Sequence, residues 1–209
     1  AGDATKRQIG QAVQRVFTWA SSVGLVENHP CCRIPKPQTP RRESYMTKEE
    51  YEIVLSHSDK AFSDYVTFLW ETGCRPQEAH RMRREHIDGD RVVFPVEESK
   101  GKRYRRIIYL NETAQEIVAR GGDDYVLVNS QGKRWSPHTV SSRFYRLKKF
   151  TGRKLCATLI RHATATRKLI QGIDSLVVAE LLGHRDGSML AKVYAHVDKQ
   201  VDHLREAAK

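Results

Sequence analysis

Four prolines stand within the short stretch from Asn28 to Arg42, at positions 30, 35, 37 and 40. Proline lacks a backbone N–H and fixes φ, so this stretch can be neither helix interior nor central strand. It reads as an extended linker that divides the chain into a short leading part and a long body. Ahead of it, from Lys6 to about Val23, Ile9, Val13, Val16, Phe17 and Ala20 recur at three- and four-residue spacing. That is the pattern of an amphipathic helix, ending at Gly24. One helix is too little for a domain. Residues 1–28 are therefore expected to be the end of a larger one, residues 29–43 the interdomain linker, and residues 44–209 the principal domain with a C-terminal tail helix.

The body opens with Thr47-Lys48-Glu49-Glu50, a capping box before a helix that carries Tyr51, Val54 and Leu55 on one face. A second apolar helix is expected from about Phe62 to Trp70, and a third with Pro76 as its first residue. Arg91–Val96 and Arg103–Leu110 are β-rich runs around Ser99-Lys100-Gly101-Lys102, which predicts an antiparallel ribbon with a basic tip. Asn111 can cap a helix to Arg120, Tyr125–Val128 reads as a short strand, and Ser136-Pro137 opens a helix carrying Val140, Phe144 and Leu147. The last third is helical by pattern, over about Thr158–Gln171, Ser175–Leu182, Ser188–His196 and Asp198–Ala208. Asp174 caps the second of these and Gly183 ends it. The expected fold class is α+β, mostly helical with a small antiparallel β-sheet.

Charge narrows the function. The 209 residues hold 36 Lys+Arg against 25 Asp+Glu, a formal net charge of +11, and a globular chain this basic commonly meets nucleic acid. No apolar run approaches the roughly 18 residues of a membrane span, so no membrane partner is expected. Cys31, Cys32, Cys74 and Cys156 form no disulfide framework and no CxxC pair, which suits a reducing cytoplasm.

Four local features can carry chemistry. Thr72-Gly73-Cys74-Arg75-Pro76-Gln77-Glu78 places an arginine at a helix start, where backbone amides favour an anion; taken alone, such an arginine is more commonly just solvated. Lys100, followed by Lys102, Arg103, Arg105 and Arg106, forms a ribbon tip that could reach a DNA groove or be a charged turn. Leu159-Ile160-Arg161-His162-Ala163-Thr164-Ala165-Thr166 sets an arginine among small and apolar residues, where an anionic ligand and an internal salt bridge explain it equally well. Leu181-Leu182-Gly183-His184 ends one helix and Val193-Tyr194-Ala195-His196 follows on another; a tyrosine there is ordinarily a packing residue.

In their order and spacing these motifs resemble the catalytic domain of the tyrosine recombinases, the phage integrase family, over about Ser44 to Val197. Val16-Phe17-Thr18-Trp19-Ala20 through Gly24-Leu25-Val26-Glu27-Asn28-His29-Pro30 resembles the last helix of that family's core-binding domain and its exit into the linker. The resemblance implies a site-specific DNA recombinase or integrase, of a mobile element or prophage, cleaving through a 3′-phosphotyrosine. It implies that Arg75 and Arg161 clamp the scissile phosphate, for which planar, permanently charged guanidinium forks are suited. Tyr194 is then the nucleophile, Lys100 the general acid for the departing 5′-oxygen, and His184 a phosphate hydrogen-bond donor. Glu78 and His162 support, and Lys102, Arg103, Arg105 and Arg106 bind DNA. The implied partners are double-stranded DNA, further copies of the chain (monomer alone, homo-tetramer on DNA) and accessory DNA-bending proteins, in a cytoplasmic, nucleoid-associated setting.

This scheme uses no cofactor and no metal, the arginines doing the work of metal ions in other nucleases. His80 and His86 are six apart and off one helix face, no residue set shows zinc spacing, and no GxxxxGK[ST] loop is present. One position departs from the family pattern. Three residues before Arg161, where the family has His or sometimes Lys, stands Thr158. Its hydroxyl can contact phosphate but cannot serve as an acid–base group near neutral pH, and such help is typically worth about 10²–10⁴-fold. A non-catalytic DNA-binding protein on the same fold and a type IB topoisomerase-like enzyme are the alternative readings.

Overall fold

The structure is a computed structural model, and it describes residues 2–37, 45–99 and 101–183. The chain divides into two compact units, Ala1–Glu43 and Ser44–Lys209. In the first, α1 (Asp3–Ser22) ends where Val23 leaves helical geometry and Gly24 turns the chain at φ +75°. The proline-bearing segment after it returns along the helix: Gln14 donates to the Cys31 carbonyl at 2.9 Å and Arg7 to that of Pro37 at 3.1 Å. Those carbonyls cannot be satisfied by ladder or helix bonds in so proline-rich a stretch, so side chains of α1 supply the donors.

The second unit is mostly helical with one small sheet. Thr47 and Glu50 form the reciprocal capping box that opens α2 (Lys48–Ser56). Asp59 caps α3 (Lys60–Thr72), which ends at Gly73 in the left-handed region (φ +62°). Arg75 and Pro76 then start α4 (Pro76–Arg81). The antiparallel sheet has the order β1 (Ile87–Asp88), β2 (Arg91–Phe94), β3 (Arg106–Tyr109), with Val92 opposite Ile108 and Phe94 opposite Arg106. Four helices follow: α5 (Glu112–Ala119), α6 (Pro137–Thr151), α7 (Ala157–Ile170) and α8 (Ser175–Leu182).

Helix α3 is the centre of the core. Phe62, Tyr65, Val66, Phe68, Leu69 and Trp70 are all buried, so the helix is covered on nearly every side, by α2, α5 and α7 among others. Phe62 meets Trp135 and Phe144 edge-on, at centroid separations of 5.4 and 5.3 Å, the arrangement that ring quadrupoles favour. Across the α3–α7 contact, Thr164 donates to the Trp70 carbonyl at 3.0 Å and Arg167 lies 4.6 Å above the Trp70 ring. Elsewhere Arg84 donates to the carbonyls of Val118, Gly121 and Gly122, closing the C-terminal end of α5 with one guanidinium.

Three sequence expectations change. The strand read as Arg91–Val96 stops at Phe94, because Pro95 has no N–H for the ladder, and a 3₁₀ turn over Val96–Glu98 follows. The run read from Arg103 pairs only from Arg106 onward. Tyr125–Val128 is not a strand: Tyr125 bridges Arg83 and Val128 bridges Arg134, each singly. The helices expected at Ser188–His196 and Asp198–Ala208 lie outside the described residues.

Gly73 supports a direct prediction. A Cβ there would come within 2.5 Å of Leu182 and 3.0 Å of Thr164, at a positive φ; Gly89 also has positive φ but open space around it. Gly89→Ala should cost about 1–2 kcal/mol for the left-handed backbone alone. Gly73→Ala should cost a further ~1–3 kcal/mol for forced repacking, read by urea unfolding. Equal losses in the two variants would contradict this packing.

Candidate active site

Gly73 hands the chain from α3 to Arg75, which occupies the N-cap position of α4 in an extended conformation. Glu78, one turn into α4, closes back on it. Its carboxylate accepts the Arg75 backbone N–H at 2.8 Å and the Arg75 Nη1 at 2.7 Å. The other terminal nitrogen, Nη2, donates to the Gly183 carbonyl at 2.7 Å. Arg75 is thus held at two points rather than freely solvated. Its side chain remains 25% exposed, which leaves unused N–H donors of the fork accessible to a ligand.

Arg161 comes from α7 and is buried. It donates from Nη1 to the Gly73 carbonyl at 2.7 Å and from Nη2 to the Leu182 carbonyl at 2.6 Å. Gly73 caps α3, and Leu182 ends α8, so this guanidinium bridges the negative ends of two helix dipoles. Among the described residues no carboxylate forms a salt bridge with it. Burial and the neighbouring Arg75 charge pull its pKa down to about 10, against the opposing pull of Glu78, and it stays charged at neutral pH.

The third guanidinium was expected elsewhere. Lys102, Arg103 and Arg105 are exposed, as a DNA-facing ribbon requires, but Arg106 is buried. It stands opposite Phe94 on the inner face of the sheet, and its Nε lies 3.4 Å from Glu78 Oε1. The reason is the period of the strand: residue 106 shares a face with Ile108, so its side chain turns inward while that of Arg105 turns out. Burial and proximity to Arg75 lower the Arg106 pKa, with Glu78 opposing. On Glu78 burial pushes upward, but the Arg106 charge and the Arg75 donors outweigh it and hold the carboxyl below its ordinary range.

Thr158 is exposed in the first turn of α7, three residues before Arg161 and therefore on the same side of the helix. His162 is half-buried. Lys100, His184 and Tyr194 lie outside the described residues. The structure brings together Arg75, Glu78 and Arg161, which the sequence reading singled out, with the Gly73, Leu182 and Gly183 carbonyls, which it did not. Only the two glycine positions, each placed where a helix had to end, carried a signal for them.

Two buried groups nearby, Cys74 and His80, are held uncharged at neutral pH. Cys74 is fully buried and its thiol is pushed up to about 12, by burial first and by Glu78 second. His80 is buried against Tyr65, with Nε2 2.8 Å from the phenol oxygen, and burial together with Arg134 lowers it to about 4. Among the described residues no group of three or more His, Cys, Asp or Glu is placed to hold a metal ion. What the cluster can do is bind an oxyanion and spread its charge over planar donors.

Comparison with known proteins gives the family and the fold. Residues 44–201 match the phage integrase family. The tyrosine recombinase XerA of Pyrococcus furiosus is 30% identical, over 97% of this chain and 73% of its own length. XerC 2 of Ralstonia nicotianae is 28% identical, over 90% of this chain and 59% of its own length. Across the curated relatives the chain spans roughly half to three quarters of their length, 46% in one and 74% in another. Among solved structures, XerH bound to palindromic difH substrate, a post-cleavage complex, superposes with a TM-score of 0.71 at 19% identity, covering 99% of this chain and 67% of that one. A λ integrase tetramer bound to a Holliday junction gives 0.71 at 19% identity, covering 88% and 59%. At that identity the structures speak for the fold.

Removal of the Glu78 charge tests the electrostatic account. Glu78→Gln should destabilise the chain by about 3–5 kcal/mol at pH 7, since it strands buried guanidinium charge. The folded Glu78 pKa lies below the unfolded one, so its contribution is fully present above the ordinary carboxylate range of about 4.3. It is lost as pH falls through the folded value, because the unfolded chain binds the proton first. Urea unfolding at pH 7 and at successively lower pH should therefore show the gap between wild type and variant closing on acidification. A gap that stays constant would contradict the assignment.

Proposed function

The chain belongs to the phage integrase family, and from that membership and the geometry of its arginine cluster we propose that it is a site-specific recombinase that breaks and rejoins double-stranded DNA. The observation that carries the reading is the convergence of Arg75 and Arg161, from α4 and α7, on the C-terminal end of α8, where Arg75 donates to the Gly183 carbonyl and Arg161 to that of Leu182. Two guanidinium forks fixed by carbonyls and one carboxylate are a preformed seat for a phosphodiester. They stabilise the additional negative charge of a pentacoordinate transition state without reorganising during the reaction.

In the proposed reaction the Tyr194 oxygen attacks phosphorus. The bond to the 5′-oxygen breaks as Lys100 transfers a proton to it, leaving a 3′-phosphotyrosine and a free 5′-hydroxyl. Attack by a 5′-hydroxyl of the partner strand reverses these steps, so the phosphoester energy is conserved and no nucleotide cofactor is consumed. A phenol of ordinary pKa near ~10 is a weak nucleophile at neutral pH, and the cationic cluster favours its phenolate. His184 donates to a phosphate oxygen. Thr158 offers a hydroxyl to the phosphate where a histidine would offer a proton, which slows the reaction and leaves its type unchanged. The exposed Lys102, Arg103 and Arg105 contact the DNA backbone.

The chain is proposed to act as a monomer off DNA and a homo-tetramer on it. A λ integrase tetramer on a Holliday junction among the fold neighbours supports this reading. An element-borne recombinase, working on the chromosome with DNA-bending accessory proteins, is the setting proposed. Thr158 favours one second reading, a DNA-binding protein on this fold that has lost catalysis.

Covalent capture separates the two. Incubation with a randomised library of nicked duplexes should yield an SDS-resistant protein–DNA adduct that maps to Tyr194 by peptide mass spectrometry and vanishes in Tyr194→Phe. Binding to the same duplexes with no adduct would establish the non-catalytic reading instead.

A further inference from the structure

Arg106 is a buried cation whose donors are mostly unused. Nη1 donates to the Ile107 carbonyl at 2.7 Å, while Nε and Nη2 are buried with no hydrogen-bond partner among the described residues. The 3.4 Å approach of Nε to Glu78 is an ion pair without hydrogen-bond alignment, and the same oxygen is already taken by Arg75 at 2.7 Å. Burying a guanidinium on half of one carboxylate is costly, and an apolar side chain of similar volume would ordinarily serve the packing better.

The position of the side chain shows what the charge touches. A Cβ on Gly183 would lie 2.9 Å from each of Cζ, Nε and Nη1 of Arg106. Three equal distances to bonded atoms of one plane mean that the face of the guanidinium lies against Gly183. The Gly183 carbonyl, in turn, accepts from Arg75 Nη2. Arg106 therefore rests on both groups that hold Arg75, Glu78 on one side and the Gly183 peptide on the other. Strand β3 delivers it there through its pairing with Phe94.

We propose that Arg106 is a positioning residue of the phosphate site, fixing Glu78 and the Gly183 peptide where they orient the Arg75 fork and adding its positive charge to the field at the phosphate. The inference rests on the recombinase reading above. It assigns Arg106 to the phosphate site and not to the DNA-contacting ribbon on which its three basic predecessors lie.

The test uses the full 209-residue chain and the nicked duplex recovered by capture. Each protein is compared on the ordinary phosphodiester and on a methylphosphonate at the scissile position, where one charged oxygen is replaced by a neutral methyl group. Arg106→Met should keep the wild-type melting temperature or raise it, and should slow adduct formation on the phosphodiester about 100-fold. On the methylphosphonate, where there is less charge to stabilise, it should fall within about threefold of wild type. Arg106→Lys, which keeps charge but loses the fork, should react at a rate between the two and tests the idea even if the Met variant folds poorly. An equal loss on both substrates, a loss that follows a lowered melting temperature, or no loss at all would overturn the assignment. Absence of adduct from wild type counts against the recombinase reading itself, and is thereby told apart from a failure of this inference.

Discussion

Among the described residues a single buried carboxylate, Glu78, stands among three guanidinium groups, and carbonyls at helix ends meet the imbalance. Glu78 contacts Arg75 and Arg106 directly and offsets the charge of Arg161. One negative charge cannot balance three positive ones in a site withdrawn from water. The remainder is met by carbonyls: Gly73 at the end of α3, Leu182 at the end of α8, and Gly183 just beyond it. Helix C-termini are the natural source, because their last carbonyls lack intrahelical donors. The close approach of Gly73 to Leu182 and of Gly183 to Arg106 leaves no room for a side chain at either glycine. Packing and electrostatics are thus satisfied by the same few atoms.

Such a cluster carries excess positive potential by design of its parts, which is what a phosphodiester requires of its binding site. Arg75 is partly open and Arg161 buried, so in the proposed seat Arg75 is the more accessible of the two forks, while Arg161 adds its charge from behind and braces the ends of α3 and α8. The groups proposed for bond making and proton transfer are attached to this frame through the sequence. His184 follows Gly183 directly, and Lys100 precedes β3 by a few residues.

Much of the fold could be read from the sequence wherever the determinant was local. Capping by Thr47, Asn111, Ser136 and Asp174, and termination at Gly183, mark helices that the structure contains. A cap and the groups it satisfies lie within four residues, so the signal is complete in a short window. Arg106 shows the opposite case. Its run of basic neighbours suggested a solvated ribbon, and only its register opposite Phe94 reveals that it points inward. The alternation of Arg106 with Ile108 and Leu110 held that information, but charge outweighed period in the reading. Arg84 likewise satisfies carbonyls more than 30 residues away, a long-range bond that no local pattern encodes. Pro95 was the visible stop that the strand expectation overran.

The account depends on Glu78 being an ionised group held by the charges around it, and its carboxyl titration measures that directly. A ¹³C NMR titration of the Glu78 side chain should give a midpoint below the ordinary carboxylate value of about 4.3, moving upward when Arg106 is replaced by methionine. A midpoint at or above that value in the unsubstituted chain, indifferent to Arg106, would mean that burial and not the guanidinium cluster governs Glu78, and would contradict the account.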